Sequence, residues 1–285
     1  MTRRTIATEI DARGTALHAG ETVHMRLSPA AAGTGIVFRR SDLADAEIPA
    51  RYDRVGETRL GTVIANGQGA SVGVIEHLMA AVAGAEIDDL VVTLDGPEPP
   101  ILDGDALSYL ELLVRAGTKE NGGKRQALRV LRDVEVGDAS AGASLRPASA
   151  LEFDFEIEFS AAAIGRQHRT WLFSTESFRR EIAPARTFGF LHELEALNKA
   201  GLARGASLEN TIAIDGDRVM NPTLLRYPDE FVRHKILDAL GDLATAGAPL
   251  IARFEGRRSG HALNNALLRA LFSDASNYDV VTLMG

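Results

Sequence analysis

His234, Asp238 and Asp242 recur at four-residue intervals in Phe231-Val232-Arg233-His234-Lys235-Ile236-Leu237-Asp238-Ala239-Leu240-Gly241-Asp242. On a helix such residues form one row. Val232, Ile236, Ala239, Leu240 and Leu243 form a separate apolar stripe, which can dock the helix while the row looks into a cleft. An imidazole and a carboxylate one turn apart can hold two positions of a metal ion, and a catalytic zinc takes a third protein ligand and keeps one position open. His77, in Val74-Ile75-Glu76-His77-Leu78-Met79-Ala80-Ala81, is the natural third ligand. Two histidines and one aspartate with an open position describe a hydrolytic site, where zinc brings the pKa of its water to about 7. Glu76 adjoins His77 and can lie beside that water as general base. The spacing is not His-Glu-x-x-His, so an ordinary zincin is not indicated. Taken alone, Glu76-His77 is more simply a surface acid and a core histidine on an apolar helix.

Three other segments add candidates. In Ser259-Gly260-His261-Ala262-Leu263-Asn264-Asn265 a histidine sits where a loop meets a helix. Such an imidazole can protonate a leaving group, or simply cap the helix. In Ala185-Arg186-Thr187-Phe188-Gly189-Phe190, Thr187 could donate to a developing oxyanion and the two phenylalanines could line an apolar channel. Two core aromatics around a turn account for that segment as well. Gly14-Thr15-Ala16-Leu17-His18-Ala19-Gly20 brackets a histidine with glycines, which suits a phosphate cradle or a hairpin turn. The acidic turn Leu94-Asp95-Gly96-Pro97-Glu98-Pro99-Pro100-Ile101-Leu102-Asp103-Gly104 is assigned a structural role only. There is no Walker A segment and no dinucleotide fingerprint.

The elements that must carry these residues follow from composition and periodicity. The 285 residues suffice for one large domain or two ordinary ones. Hydrophobic residues at 45% and charged residues at 25% fit a globular chain. A net charge of -8 with scattered arginines speaks against nucleic-acid binding. With no cysteine, disulfides and thiolate metal sites are excluded. The N-terminus does not read as a signal peptide, and no run approaches the roughly 18 apolar residues of a membrane span. A cytoplasmic enzyme, at most in transient contact with a membrane surface, is expected.

Short strands are predicted over 23–27 and 35–39, a helix over 73–83, a buried strand over 89–94 and a helix over 106–116 that stops at Gly117. The polar, Gly-containing stretch 118–126 reads as the domain boundary. Beyond it, strands are predicted over 127–131 and 151–159, the latter antiparallel and half-buried from its period of 2. Helices are predicted near 174–182, 191–200, 229–246 and 262–272. The expected fold is α+β, with two similar layered domains, each a sheet packed on helices. The N-terminal domain spans 1–120 and the C-terminal domain 127–285.

Together these motifs resemble the UDP-3-O-acyl-N-acetylglucosamine deacetylases, the zinc amidases of lipid A synthesis in Gram-negative bacteria. The resemblance spans nearly the whole chain. It rests on Leu17–Gly20, Glu76–Ala81, Asp95–Glu98, Ile101–Gly104, Ala185–Phe190, Phe231–Asp242 and Ser259–Asn265. It implies an active site between the two domains, with zinc held by His77, His234 and Asp238 and Fe2+ as an alternative occupant. It implies Glu76 as general base, His261 as general acid, Thr187 at the oxyanion and Asp242 orienting His261. Lys235 would meet the nucleotide or phosphate, Phe159 and Phe188 the nucleotide-sugar, and His18 would belong to the substrate-binding turn. A βαβ insert over about 191–222 would form a hydrophobic passage for the acyl chain. The implied partner is UDP-3-O-acyl-GlcNAc, hydrolysed to the free amine and acetate by a monomer. Ala16 and Ala206 stand where glycine is usual, Pro184 precedes the Ala185-Arg186-Thr187 motif, and the tail after Val281 is shorter than is usual. These departures bear on acyl length and leave the reaction untouched.

Two other classes share the ligand set. Two histidines and a carboxylate also describe non-haem iron oxygenases, whose double-stranded β-helix needs more strands than the helical ligand segment allows. A non-catalytic nucleotide-sugar or lipid-binding module would hold a structural metal, closed by a fourth protein ligand.

Overall fold

The computed structural model describes residues 1–284. Alternating apolar residues build two five-stranded sheets with one shared connectivity. The first runs in the order Ile10–Thr15, Thr22–Pro29, Leu90–Leu94, Ile36–Arg40, Ala46–Pro49. The second runs Val134–Gly137, Gly142–Arg146, Arg253–Arg257, Glu152–Glu158, Arg166–Leu172. In each, two hairpins flank a late-arriving central strand, which is antiparallel to one neighbour and parallel to the other.

Among the described residues six helices accompany the sheets: α1 (Glu76–Gly84), α2 (Leu107–Ala116), α3 (Thr175–Ser177, running on into a π-helical turn at Phe178–Ile182), α4 (Leu191–Lys199), α5 (Glu230–Ala244) and α6 (His261–Phe272). In each half a helix precedes the central strand, α1 or α5, and another follows it, α2 or α6. α1 and α5 pack on one another, and α5 and α6 line the second sheet. This is the expected α+β arrangement, with sheets packed on helices. α1 and α5 are buried almost all round, as befits helices enclosed on several sides. Polar residues on them therefore have to find partners inside the protein.

Several local expectations change. The stretch 118–126 is not a bare linker. Thr118–Lys124 is a strand antiparallel to Thr2–Ile6, and Gln126 opens the next strand. It shows no apolar alternation because it is mostly exposed and held by its backbone ladder. Glu152–Glu158 buries Phe153, Phe155 and Ile157 as its period implies, but it is antiparallel to Arg166–Leu172 and parallel to Arg253–Arg257. α1 starts at Glu76 rather than at Gly73, since Val74 has a left-handed φ of 53°. The unit around α4 is βαβ, but it begins earlier than residue 191: Phe188–Phe190 is a strand, parallel to Ile212–Asp215. Phe188 and Phe190 therefore lie on a strand and not around a turn. Among the described residues no helix is long and apolar enough to cross a membrane.

Candidate metal centre and active site

Glu76 and His77 open α1, and His234, Asp238 and Asp242 lie along α5. The two helices meet where Gly241 faces Glu76. A Cβ at Gly241 would stand 1.9 Å from the Glu76 carbonyl oxygen. Only glycine permits this approach, and the approach carries His77 to the α5 row. Gly241→Ala is expected to force the helices apart, at a cost of about 1–3 kcal/mol or more for overpacking. Thermal denaturation and bound-metal content should fall together; an alanine variant with both unchanged would show the contact to be unimportant.

His77, His234 and Asp238 converge, with one donor atom from each lying within 4.8 Å of the others. Asp238 Oδ1 is 3.6 Å from His77 Nε2 and 3.3 Å from His234 Nε2. The imidazole rings stand edge-on, 4.9 Å apart at 89°. Asp238 Oδ1 is buried and has no hydrogen-bond partner among the described residues, a costly state for a carboxylate oxygen. A tetrahedral cation about 2.0–2.1 Å from each donor separates the donors by roughly 3.3–3.4 Å. The three residues thus fit a divalent ion, and such an ion would satisfy the orphaned oxygen.

The surroundings support that role. His234 Nδ1 lies 3.0 Å from the Ala185 carbonyl. Donation there leaves Nε2 with its lone pair toward the cluster, the usual second contact of a metal-binding histidine. His77 Nδ1 has no such partner among the described residues. Lys235 Nζ donates to Asp238 Oδ2 at 2.7 Å, so the other carboxylate oxygen is occupied. Burial pushes His77 down to about 3, and the adjacent His234 adds to the fall. Burial also lowers His234. Burial opposes charge on Asp238, but its neighbours, above all the Lys235 ammonium that donates to it, outweigh burial and hold the carboxyl below its ordinary range. Neutral imidazoles and an ionised carboxylate are the states a metal requires.

Beside the cluster, Glu76 and His261 face one another. Glu76 Oε1 is 3.8 Å from His261 Nε2. His261 is the first residue of α6, and its Nδ1 lies 2.9 Å from Asp242 Oδ2. Burial pushes Glu76 up to about 7, although His261 pulls the other way. Burial disfavours a charged His261, but Asp242 and then Glu76 overcome it and raise the imidazole to about 9. A carboxyl poised near neutrality opposite a protonated imidazole is a matched base and acid.

Thr187 is half-buried; its N–H donates to Gly104 and its carbonyl accepts from Ile212, both at 2.8 Å. The preceding Arg186 is paired in the interior with Glu230 at the start of α5, which ties the threonine segment to α5. Phe188 is edge-on to His234 and Phe231, and Phe159 is edge-on to Phe188. His18 makes no polar contact with the cluster among the described residues. Its Nδ1 accepts from Ala203 N–H, so its Nε2 donates to the Leu60 carbonyl at 3.0 Å. Glu98 accepts from the N–H groups of His18 and Ala19, the structural task given to that acidic turn. His18 thereby joins the glycine-bracketed turn to the βαβ unit and to the loop before α1.

Sequence reasoning passed over Gly241, Thr62 and Asn264. Thr62 and Asn264 both donate to Asp242, at 2.5 and 2.8 Å. Thr62 lies in a loop with no periodicity to mark it. Asn264 was in view only as part of a motif.

The profile of the UDP-3-O-acyl N-acetylglycosamine deacetylase family matches residues 3–273. The chain is 52% identical over 260 residues to the UDP-3-O-acyl-N-acetylglucosamine deacetylase of Phenylobacterium zucineum, covering 90% of this chain and 89% of that protein. It is 44% identical over 285 residues to the protein of the same name from Psychrobacter arcticus, covering 99% and 89%. It is also 44% identical over 281 residues to that of Nitratiruptor, covering 99% and 94%.

Proposed function

Because the chain belongs to the UDP-3-O-acyl-N-acetylglucosamine deacetylase family, we propose that it hydrolyses the N-acetyl group of UDP-3-O-(3-hydroxyacyl)-N-acetylglucosamine with zinc held by His77, His234 and Asp238. The chain is an amide hydrolase of lipid A biosynthesis. The observation that carries the finer reading is the buried Asp238 Oδ1, unpartnered between two imidazole nitrogens. Fe2+ suits the same donors.

Held by His77, His234 and Asp238, a divalent ion would supply an acidified water near neutral pH and positive charge for the developing oxyanion. Glu76 takes the proton of the attacking water. Thr187 donates from its hydroxyl to the oxyanion that develops as the C–O bond forms. His261, charged and held at Nδ1 by Asp242, delivers its Nε2 proton to the departing nitrogen as the C–N bond breaks. Acetate and the free 2-amino sugar result. Phe159 and Phe188 form a wall beside His234 for the sugar. Lys235 keeps two of its three donors for the nucleotide phosphates, and the βαβ unit with the His18 turn borders the acyl chain.

The test is acetate release from a UDP-3-O-acyl-GlcNAc series. Release should stop with chelator and return with zinc. Chelator-resistant release would remove the metal from the mechanism. The raised His261 also predicts pH dependence. The acid form works and is lost as pH rises through about 9, so the alkaline limb should lie there. Asp242→Asn removes the main charge that raises the imidazole and should move the limb to lower pH. An unmoved limb would detach His261 from it.

A further inference from the structure

Thr62 touches both halves of the proton machinery. Its N–H donates to Glu76 Oε2 at 3.0 Å, and its hydroxyl donates to Asp242 Oδ1 at 2.5 Å. Asp242 Oδ2 is shared by two groups of α6, His261 Nδ1 at 2.9 Å and Asn264 Nδ2 at 2.8 Å. Asn264 is itself fixed, since its Oδ1 accepts from Ser259 Oγ at 2.7 Å. A terminal carboxylate torsion is broad and roughly two-fold, so the plane of Asp242 is set by what its oxygens accept. α6 holds one oxygen; Thr62, from the loop before α1, holds the other.

That loop is built to place Thr62. Val63 N–H donates to Glu57 and Gly56 N–H to Val63, while Ile75 N–H reaches the Thr62 carbonyl. Gly61 has φ +156°, and a Cβ there would stand 3.1 Å from Glu76 Oε1, the oxygen that faces His261. A side chain at that position would crowd the space between base and acid. Thr62 itself is 2% exposed, so water does not compete for its hydroxyl.

We infer that Thr62 is a positioning residue for the hydrolysis: its hydroxyl fixes the plane of Asp242 and through it the direction of His261 Nε2, while its N–H fixes Glu76. One residue thus sets the base and the acid relative to each other. The inference rests on the proposed roles of Glu76 and His261.

The experiment is a double-mutant cycle on the metal-loaded enzyme, read as acetate release from UDP-3-O-acyl-GlcNAc. Thr62→Val keeps the shape and the N–H but removes the hydroxyl. Losing a hydrogen bond to a charged group corresponds to about a 10- to 100-fold fall in kcat, with KM and bound metal little changed. Thr62→Ser should restore kcat to within about threefold. In a His261→Ala background the valine change should have almost no further effect, because residues acting as one unit are not additive. Near-normal kcat in Thr62→Val, an undiminished loss on top of His261→Ala, or a serine variant as impaired as valine would each overturn the inference. If Thr62→Val does not fold, Thr62→Ala takes its place in the cycle. Absence of acetate release by the unmodified enzyme would instead sink the underlying functional reading.

Discussion

Glu76→Gln is expected to retain the metal and to lose turnover by about a hundred- to ten-thousand-fold, the usual worth of a positioned general base. The substitution is nearly isosteric. Glutamine keeps a carbonyl oxygen for the Thr62 N–H and fits the same buried pocket at the head of α1. What it loses is the capacity to accept and return a proton. In the native protein that capacity is tuned by burial, which lifts Glu76 to about 7. Glu76 is also outside the convergent group of donor atoms, so metal content should stay at the unmodified level. Elemental analysis and acetate release together read the result. A glutamine enzyme with normal turnover would remove the base assignment, and one that had shed its metal would make Glu76 a ligand instead.

His77→Ala should have the opposite signature, losing metal and activity together. His77 is the one proposed ligand on α1, whereas the proposed ligands His234 and Asp238 both lie on α5. Removing it leaves two donors one helical turn apart. Affinity should fall by more than the roughly 10–100-fold typical of losing an outer partner, and acetate release should fall to background. His77 is the cleaner test than Asp238. Removing Asp238 would also strand the half-buried Lys235 ammonium, whose 2.7 Å partner it is, and so destabilise the protein apart from any loss of metal. Loss of activity in Asp238→Ala would therefore mix two causes. Metal retention by His77→Ala under dialysis against a chelator would contradict the proposed ligand set.

The parts of this site that sequence could reveal are those written in helical periodicity. The four-residue recurrence of His234, Asp238 and Asp242 is local, and so is the adjacency of Glu76 and His77. The convergence of α1 on α5 is not local. It depends on Gly241, whose missing side chain admits the Glu76 carbonyl, and a lone glycine within a helix does not announce what it faces. Thr62 is illegible for a similar reason, since its two partners lie 14 and 180 residues away. The strand Thr118–Lys124 was not legible within the stretch taken as the domain boundary, because its polar, Gly-containing residues show no alternation and its pairing partner is the distant N-terminal strand. His18 was legible as a special turn residue. Its contacts show it joining loops through Ala203 and Leu60, a connection that no spacing encodes. The shared connectivity of the two sheets likewise survives without visible sequence repetition, because topology needs only the apolar alternation to persist.

The most direct measurement is a crystal structure of the zinc-loaded protein with anomalous scattering recorded across the zinc edge. One ion is expected, bound by His77 Nε2, His234 Nε2 and Asp238 Oδ1, with Glu76 and His261 alongside and no fourth protein ligand. An ion bound elsewhere, or a fourth protein side chain closing the site, would contradict it.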